Sequence, residues 1–95
     1  MIIDFVSFNV RCCDDPDGNS IAERAPRLQQ ILKPLHADVI ALQEIRPKWV
    51  PEIEKFFSSE YETFLCYRSQ IKPEGLITLW KKSRFVVLVK DFFWF

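Results

Sequence analysis

The chain has 95 residues, which is enough for one small domain, and the sequence predicts a single domain over residues 1–95. Hydrophobic residues make up 48% of the chain, a globular composition that excludes a disordered or collagen-like protein. The 13 Lys and Arg balance the 13 Asp and Glu, so the formal net charge is zero. A neutral chain does not hold nucleic acid by bulk charge, so any phosphate contact must come from a local arrangement of side chains.

The cysteines and the apolar segments indicate the compartment. Cys12, Cys13 and Cys66 are odd in number and two are adjacent, which does not fit a disulfide framework. We therefore expect three reduced thiols in a cytoplasmic chain. Asp4 interrupts the apolar N-terminus, which argues against a signal peptide, and no apolar run reaches the roughly 18–20 residues of a membrane span.

The first part of the chain predicts a strand, a loop and a helix. Residues 2–10 are rich in Ile, Val and Phe and indicate a strand buried on both faces. Residues 12–20 carry Asp, Pro, Gly and Asn and indicate a loop. Ser20 and Glu23 have capping-box spacing, although Pro26 disfavours helix just before it, so the regular helix is predicted to start at Pro26. The helix has an apolar face of Ile21, Ala25, Leu28, Ile31, Leu32 and Leu35.

The rest of the chain predicts four more strands and one more helix. Residues 37–42 indicate a second buried strand, followed by a helical segment that opens at Pro47. Three further strands are predicted at residues 61–67, 76–81 and 85–95. This order of elements predicts an α/β fold, a mixed β-sheet with the two helices packed on one face.

Polar residues follow the two predicted strands that a helix connects. Asn9 and Arg11 come at the end of the first strand, and Glu44 and Arg46 come at the end of the second. A right-handed crossover would make these strands parallel neighbours, so the four side chains would meet at one edge of the sheet. Carboxylate and amide oxygens suit Mg²⁺, and arginine forks match phosphate oxygens.

Each of these residues also has a purely structural interpretation. Asn9 can cap the turn after the first strand. Glu44 can favour the dipole of the helical segment at Pro47. Arg11 and Arg46 can be solvated surface charges. Spacing and composition alone leave these alternatives open.

Five motifs in order resemble those of the endonuclease/exonuclease/phosphatase superfamily, whose fold is that of deoxyribonuclease I. They are FNVR at 8–11, ERAPRL at 23–28, ADVIALQE at 37–44, WKKSRF at 80–85 and FFWF at 92–95. The resemblance covers nearly all of the chain and places it in the N-terminal half of the family's domain. It implies half of a four-layer α/β sandwich, with one sheet and its helices.

The resemblance also implies roles for individual residues. Glu44 matches the glutamate that binds Mg²⁺ (or Mn²⁺), and Asn9 matches the asparagine beside the metal and the scissile phosphate. Arg11 and Arg46 match positions that contact substrate phosphates. Glu74 matches, more loosely, the acidic residue that supports the catalytic histidine, and Lys72 stands where some members have tyrosine.

The family's general-acid histidine, its Asp-x-Asn strand and its final Asp-His pair have no match in these 95 residues. The single histidine, His36, is predicted to be a connector after the first helix. The resemblance therefore implies part of a metal-dependent phosphoester hydrolase, inactive alone, whose substrate is a nucleic acid or a small phosphoester. It further implies pairing with a complementing C-terminal half or self-association. The alternative is a non-enzymatic remnant or interaction module that pairs through its exposed sheet.

Overall fold

The computed structural model describes residues 1–94 and contains two helices and four strands. In chain order they are β1 (Phe5–Asn9), α1 (Ile21–Leu32), β2 (Val39–Ile45), α2 (Val50–Phe57), β3 (Tyr61–Tyr67) and β4 (Gly75–Lys81). Short 3₁₀ turns at Lys33–Leu35 and Pro47–Trp49 follow α1 and precede α2. The two helices lie in the connections that the sequence predicted.

The four strands form one mixed sheet in the order β1-β2-β4-β3. β1 and β2 are parallel neighbours, because α1 crosses over between them, whereas β4 pairs antiparallel with both β2 and β3. The α/β class and the mixed sheet that the sequence predicted are confirmed.

One face of the sheet packs against both helices and forms the core. Ile40, Leu42, Ile77 and Leu79 alternate along the two central strands and are at most 1% exposed. The helices contribute Leu28, Leu32, Ile53 and Phe57 to the same cluster, and the 3₁₀ turn before α2 contributes Trp49. Because strand side chains alternate between faces, the residues between these sheet positions point to the opposite face.

Helix α1 begins at Ile21, five residues before the predicted start at Pro26. The reason is a complete capping box: the Ser20 hydroxyl accepts from the Glu23 amide at 3.1 Å, and the Glu23 carboxylate accepts from the Ser20 amide at 3.3 Å. Pro26 therefore lies inside the helix. Two bonds formed at the first turn outweigh the one that proline cannot donate.

The predicted fifth strand is wrong for residues 85–94, which form no strand, and Phe95 lies outside the described residues. The strand order gives the physical reason: β4 already has β2 on one side and β3 on the other, so no edge beside it is free. The segment instead lies over the face of the sheet opposite the helices. There the Phe92 ring packs edge-on against Phe64 at 6.4 Å, and Lys90 lies over the Phe64 and Trp80 rings.

Two of the cysteines differ from the prediction of three reduced thiols. Cys12 and Cys13 are joined by a disulfide in the loop after β1, with their Cα atoms 3.8 Å apart. Cys66 is free and buried, and burial raises the pKa of its thiol. The sequence prediction thus holds for Cys66 alone.

Asp38 is the buried charged residue of the described core, and it precedes β2 at the end of the sheet away from Glu44. Its carboxylate accepts from the Asp4 amide at 2.8 Å and from the Arg84 guanidinium at 2.8 Å. The Asp4 hydrogen bond, together with Arg84, holds the pKa of Asp38 below its ordinary value. Asp38 thereby ties the start of the chain and the segment after β4 to the start of β2.

Candidate active site at the carboxyl edge of the parallel strands

The carboxyl ends of β1 and β2 lie side by side. Asn9, the last residue of β1, pairs in register with Gln43 of β2, so Glu44 comes one residue beyond that pair. Asn9 and Glu44 therefore lie at the same edge of adjacent parallel strands, the arrangement expected from the crossover. Ligand sites in α/β sheets occupy this edge.

Glu44 occupies a β-bulge near the end of β2. Gln43 pairs with Leu76 and Ile45 pairs with Gly75, which leaves Glu44 as an extra residue with no partner across the sheet. Its φ is 61°, in the left-handed region that a side chain with a Cβ rarely adopts. Bulges of this kind can redirect a side chain beside an active site, while Arg11, Asp17 and His36 share the left-handed conformation of Glu44.

The Glu44 carboxylate is half-buried and has no hydrogen bond or ion pair within residues 1–94. Glu44 lies near Arg11, whose pKa is raised mainly by a hydrogen bond to Asp15 and to a smaller extent by Glu44. A carboxylate held in a strained position without a protein partner is free to accept an external cation.

Asn9 turns the chain out of the sheet. Its Oδ1 accepts from the Arg11 amide at 2.9 Å, so the turn-capping interpretation of this residue is correct. The Nδ2 group of Asn9 has no acceptor among the described residues, so it is available to donate to a ligand. The capping role and a ligand role are therefore compatible.

Arg11 makes a bidentate ion pair with Asp15, through Nε at 3.1 Å and Nη2 at 3.0 Å. The sequence assigned the Arg11 guanidinium to a phosphate contact. In the structure the guanidinium instead binds the carboxylate of Asp15 in the same loop. A phosphate would have to displace Asp15 to bind Arg11 in the same way.

Arg24 is the residue of this region that the sequence interpretation left without a role. Its guanidinium donates to the carbonyl oxygens of Val10 at 2.7 Å and Asn19 at 2.9 Å, and also to that of Cys13. It lies 5.4 Å from the centre of the Trp49 ring. Arg24 thereby holds the loop that follows Asn9 against α1. The only sequence signal that drew attention to Arg24 was its place in the ERAPRL motif at residues 23–28.

Arg46 and Glu74 come together from the segments after β2 and before β4. The Arg46 guanidinium lies 3.3 Å from Glu74 Oε2, with both side chains more than a third exposed. The sequence assigned these residues to separate roles and did not predict their ion pair. Their contact joins the end of β2 to the loop before β4.

Glu44 and Glu74 line one open cavity of about 610 Å³. Lys72 and Gly75 also line it, so the loop before β4 forms one wall. Asn9, Arg11 and Arg46 are not among its lining residues. His36 is also absent from it and ends the 3₁₀ turn after α1 with φ 48°, as a connector.

One carboxylate at this edge could contribute to a site for a hard divalent cation. Residues 1–94 contain no group of three or more ligating side chains, but Mg²⁺ often takes one or two protein carboxylates and keeps water as its other ligands. Glu44 could serve as such a carboxylate, since no arginine or lysine among residues 1–94 forms an ion pair with it.

The sequence profile of the Endonuclease/Exonuclease/phosphatase family matches residues 6–93. This chain belongs to that family. No curated protein sequence matches it significantly. The family match spans both parallel strands and the loop before β4, so all of the candidate residues from Asn9 to Glu74 fall within it.

Solved structures of the family have the same fold. A mannosyl-6-phosphatase from Bacteroides thetaiotaomicron superposes with a TM-score of 0.80 at 18% identity, over 95% of this chain and 35% of its own. An endonuclease/exonuclease/phosphatase from Bacteroides vulgatus gives 0.77 at 23% identity, over 92% and 34%. ANGEL2, described as a 2',3'-cyclic phosphatase, gives 0.67 at 26% identity, over 92% and 30%. The chain spans about a third of the length of these family structures.

Helices long and apolar enough to cross a bilayer are absent from the described part of the chain.

Proposed function

We propose that this chain forms the metal-binding and phosphate-binding edge of a Mg²⁺- or Mn²⁺-dependent phosphoesterase. The observation that carries the proposal is the Glu44 carboxylate, which is strained at a β-bulge and has no partner among the described residues. Family membership supports phosphoester chemistry, and the structural relatives include phosphatases. Phosphodiesters and phosphomonoesters both belong to the proposed substrate class.

Glu44 would hold the ion, and Asn9 would donate its free Nδ2 hydrogens to a phosphate oxygen beside it. A bound divalent ion would polarise the phosphoryl oxygen and neutralise charge that develops on it. Arg46 would contact substrate phosphate from the neighbouring segment, with Glu74 keeping its guanidinium in place until substrate arrives. A charge-assisted contact to phosphate is stronger than the exposed ion pair it would replace.

Arg11 would contact a phosphate less readily, because its guanidinium already forms a bidentate ion pair with Asp15. We propose that Arg11 contributes positive charge near the phosphate through its proximity to Glu44, while Asp15 keeps it oriented.

Within residues 1–94, no histidine lies at this edge to act as acid or base for hydrolysis. His36 lies before β2, at the opposite end of that strand from Glu44. We therefore propose that this chain alone does not turn over phosphoesters and that activity needs a complementing segment. A second proposal is an interaction module, favoured by the exposed apolar side chains on the sheet face away from the helices, such as Phe5 at 62%.

The test is calorimetric titration of the chain with Mn²⁺ and Mg²⁺, compared with Glu44→Gln. Removing a direct ligand should weaken binding by at least about tenfold, since second-shell changes alone weaken metal sites by that factor. Glu54→Gln is the matched control, because Glu54 is exposed on α2. Equal affinity in the wild-type chain and Glu44→Gln would overturn the proposed metal role.

A further inference from the structure

The disulfide between Cys12 and Cys13 lies in the loop that leads from β1 to α1, and the proposed metal and phosphate roles do not use it. Because the two residues are adjacent, the bond closes a small ring that contains the peptide group between them. A disulfide stabilises a fold mainly by closing a long loop of the unfolded chain, and this one closes almost none. A contribution to stability therefore does not account for the bond.

The loop is held against the helical side of the molecule at both ends of this ring. Arg24 of α1 donates to the carbonyl oxygen of Val10 at 2.7 Å and also to that of Cys13. The Trp49 Nε1 group donates to the carbonyl oxygen of Arg11 at 2.9 Å. A change in the backbone of the ring therefore moves the carbonyl groups that accept these bonds.

The two sulfurs differ in their access to solvent. Cys12 is buried, with 7% of its surface exposed, whereas Cys13 is half-buried. Both cysteines line an open cavity of about 370 Å³. Thiol–disulfide exchange requires a thiolate to reach one sulfur of the bond. The difference in burial favours attack at the Cys13 Sγ, with Cys12 as the sulfur that leaves.

The cavity beside the disulfide selects by size rather than by charge. Lys48, which lines it, pairs with Asp14, and Arg46, which also lines it, pairs with Glu74 at 3.3 Å. Each cation thus has a carboxylate partner, so an anionic thiol gains little over a neutral one. A volume of about 370 Å³ is within the usual range for small-molecule sites and admits a small thiol.

We propose that the Cys12–Cys13 disulfide is an exchange site for a low-molecular-weight thiol. The thiolate of that compound attacks the Cys13 Sγ, the bond between the cysteine sulfurs breaks, and Cys12 leaves with the electron pair and takes up a proton. Another molecule of the thiol then attacks the small-thiol sulfur of the mixed disulfide and releases Cys13 as a thiol. The small thiol is oxidised to its own disulfide, the two cysteines are reduced, and the loop after β1 gains freedom.

The test equilibrates the full chain in mixtures of reduced and oxidised glutathione, blocks free thiols with an alkylating agent in denaturant, and counts them by mass spectrometry. The chain should pass from one blocked thiol, that of Cys66, to three as the reduced form increases. Cys66→Ala is the control and should keep the same transition with one blocked thiol fewer throughout. Three blocked thiols in every mixture would overturn the proposal, as would a disulfide that persists in full in every mixture.

Two serine variants test which sulfur is attacked. Cys13 in Cys12→Ser should react with oxidised glutathione about tenfold faster than Cys12 does in Cys13→Ser, because buried cysteines are poorly reactive. Equal rates, or a faster reaction at Cys12, would overturn the assignment of the attack to Cys13.

NMR of the wild-type chain tests whether the bond controls the loop. Reduction should shift the amide signals of residues 10–13 and the indole signal of Trp49, and leave those of β3 in place. Unchanged signals around the ring would contradict a controlling role. These outcomes do not depend on metal binding at Glu44, so they are independent of the proposed function.

Discussion

At the scale of single residues, Glu44 combines backbone strain with an unpaired carboxylate. A left-handed conformation costs a residue with a Cβ about 1–2 kcal/mol, and glycine avoids that cost. The bulge at β2 places Glu44 in this conformation at φ 61°. If the residue is kept for binding, the chain should be more stable without its Cβ.

We therefore predict that Glu44→Gly is more stable than Glu44→Ala by about 1 kcal/mol, the relief of strain minus the added freedom of the unfolded chain. Both variants should lose metal affinity equally. The measurement is the free energy of unfolding in urea for the two variants. Equal stability, or a more stable alanine variant, would show that the left-handed conformation at position 44 is not strained.

At the scale of elements, β4 depends on a glycine at its first residue. A Cβ built at Gly75 would lie 1.8 Å from the Cys66 carbonyl oxygen of β3 and 2.8 Å from the Tyr67 Cα. Backbone atoms at these distances cannot move aside without separating β3 from β4. The close approach of Gly75 to β3 therefore fixes the position of the loop before β4, which lines the cavity beside Glu44.

Gly75→Ala should lower the free energy of unfolding by about 3 kcal/mol, the upper end of the range for overpacking. Gly18→Ala is the matched control: its Cβ would meet a Glu23 side-chain oxygen at an ordinary 3.5 Å, although φ is +79°. That variant should cost only the strain of about 1 kcal/mol. Chemical denaturation measures both, and a smaller loss at Gly75 than at Gly18 would contradict the tight packing of β3 on β4.

The sequence predicted elements whose signals are local. The apolar pattern of β3 predicted its bounds, whereas Pro26 led to a predicted start of α1 that was five residues late, although the capping box of Ser20 and Glu23 lies at the true start. The parallel pairing of β1 and β2 followed from the crossover helix. The bounds of β3 depend on residues close together in the chain, and the pairing of β1 with β2 depends on a single helical crossover between consecutive strands.

The features that the sequence missed depend on contacts between distant segments. Residues 85–94 have strand composition but form no strand, because the place of β4 inside the sheet leaves them no edge. The loop that Arg24 holds and the Arg46–Glu74 ion pair likewise arise only after folding. At the candidate site, the positions of the polar residues at the ends of two predicted strands identified them. The bulge at Glu44 could not be predicted in this way, because it arises from a register shift of β2 against β4.

At the scale of the whole molecule, large apolar side chains remain exposed on the C-terminal segment and the N-terminal residues. Leu88 is 91% exposed, Val86 is 86% and Ile2 is 80%. Clusters of exposed apolar side chains are uncommon on soluble monomers and often mark an interaction site. We expect this surface to be covered by another chain or segment.

The purified chain should therefore associate as its concentration rises, detected by light scattering, and should bind a hydrophobic dye. Val86→Lys with Leu88→Lys should reduce association without lowering stability, because both side chains are exposed in the structure. Asp91→Asn is a control that leaves the apolar surface intact. A wild-type chain that stays monodisperse at every concentration and binds no dye would contradict this account.

The central claim, a metal site at the carboxyl edge of β1 and β2, is tested most directly by NMR with Mn²⁺. The paramagnetic ion broadens backbone amide signals near the place where it binds. Signals of residues 9–11, 43–46 and 74–75 should broaden first, and Glu44→Gln should remove the effect. Broadening centred on the acidic loop at residues 14–17, unchanged in Glu44→Gln, would contradict the account.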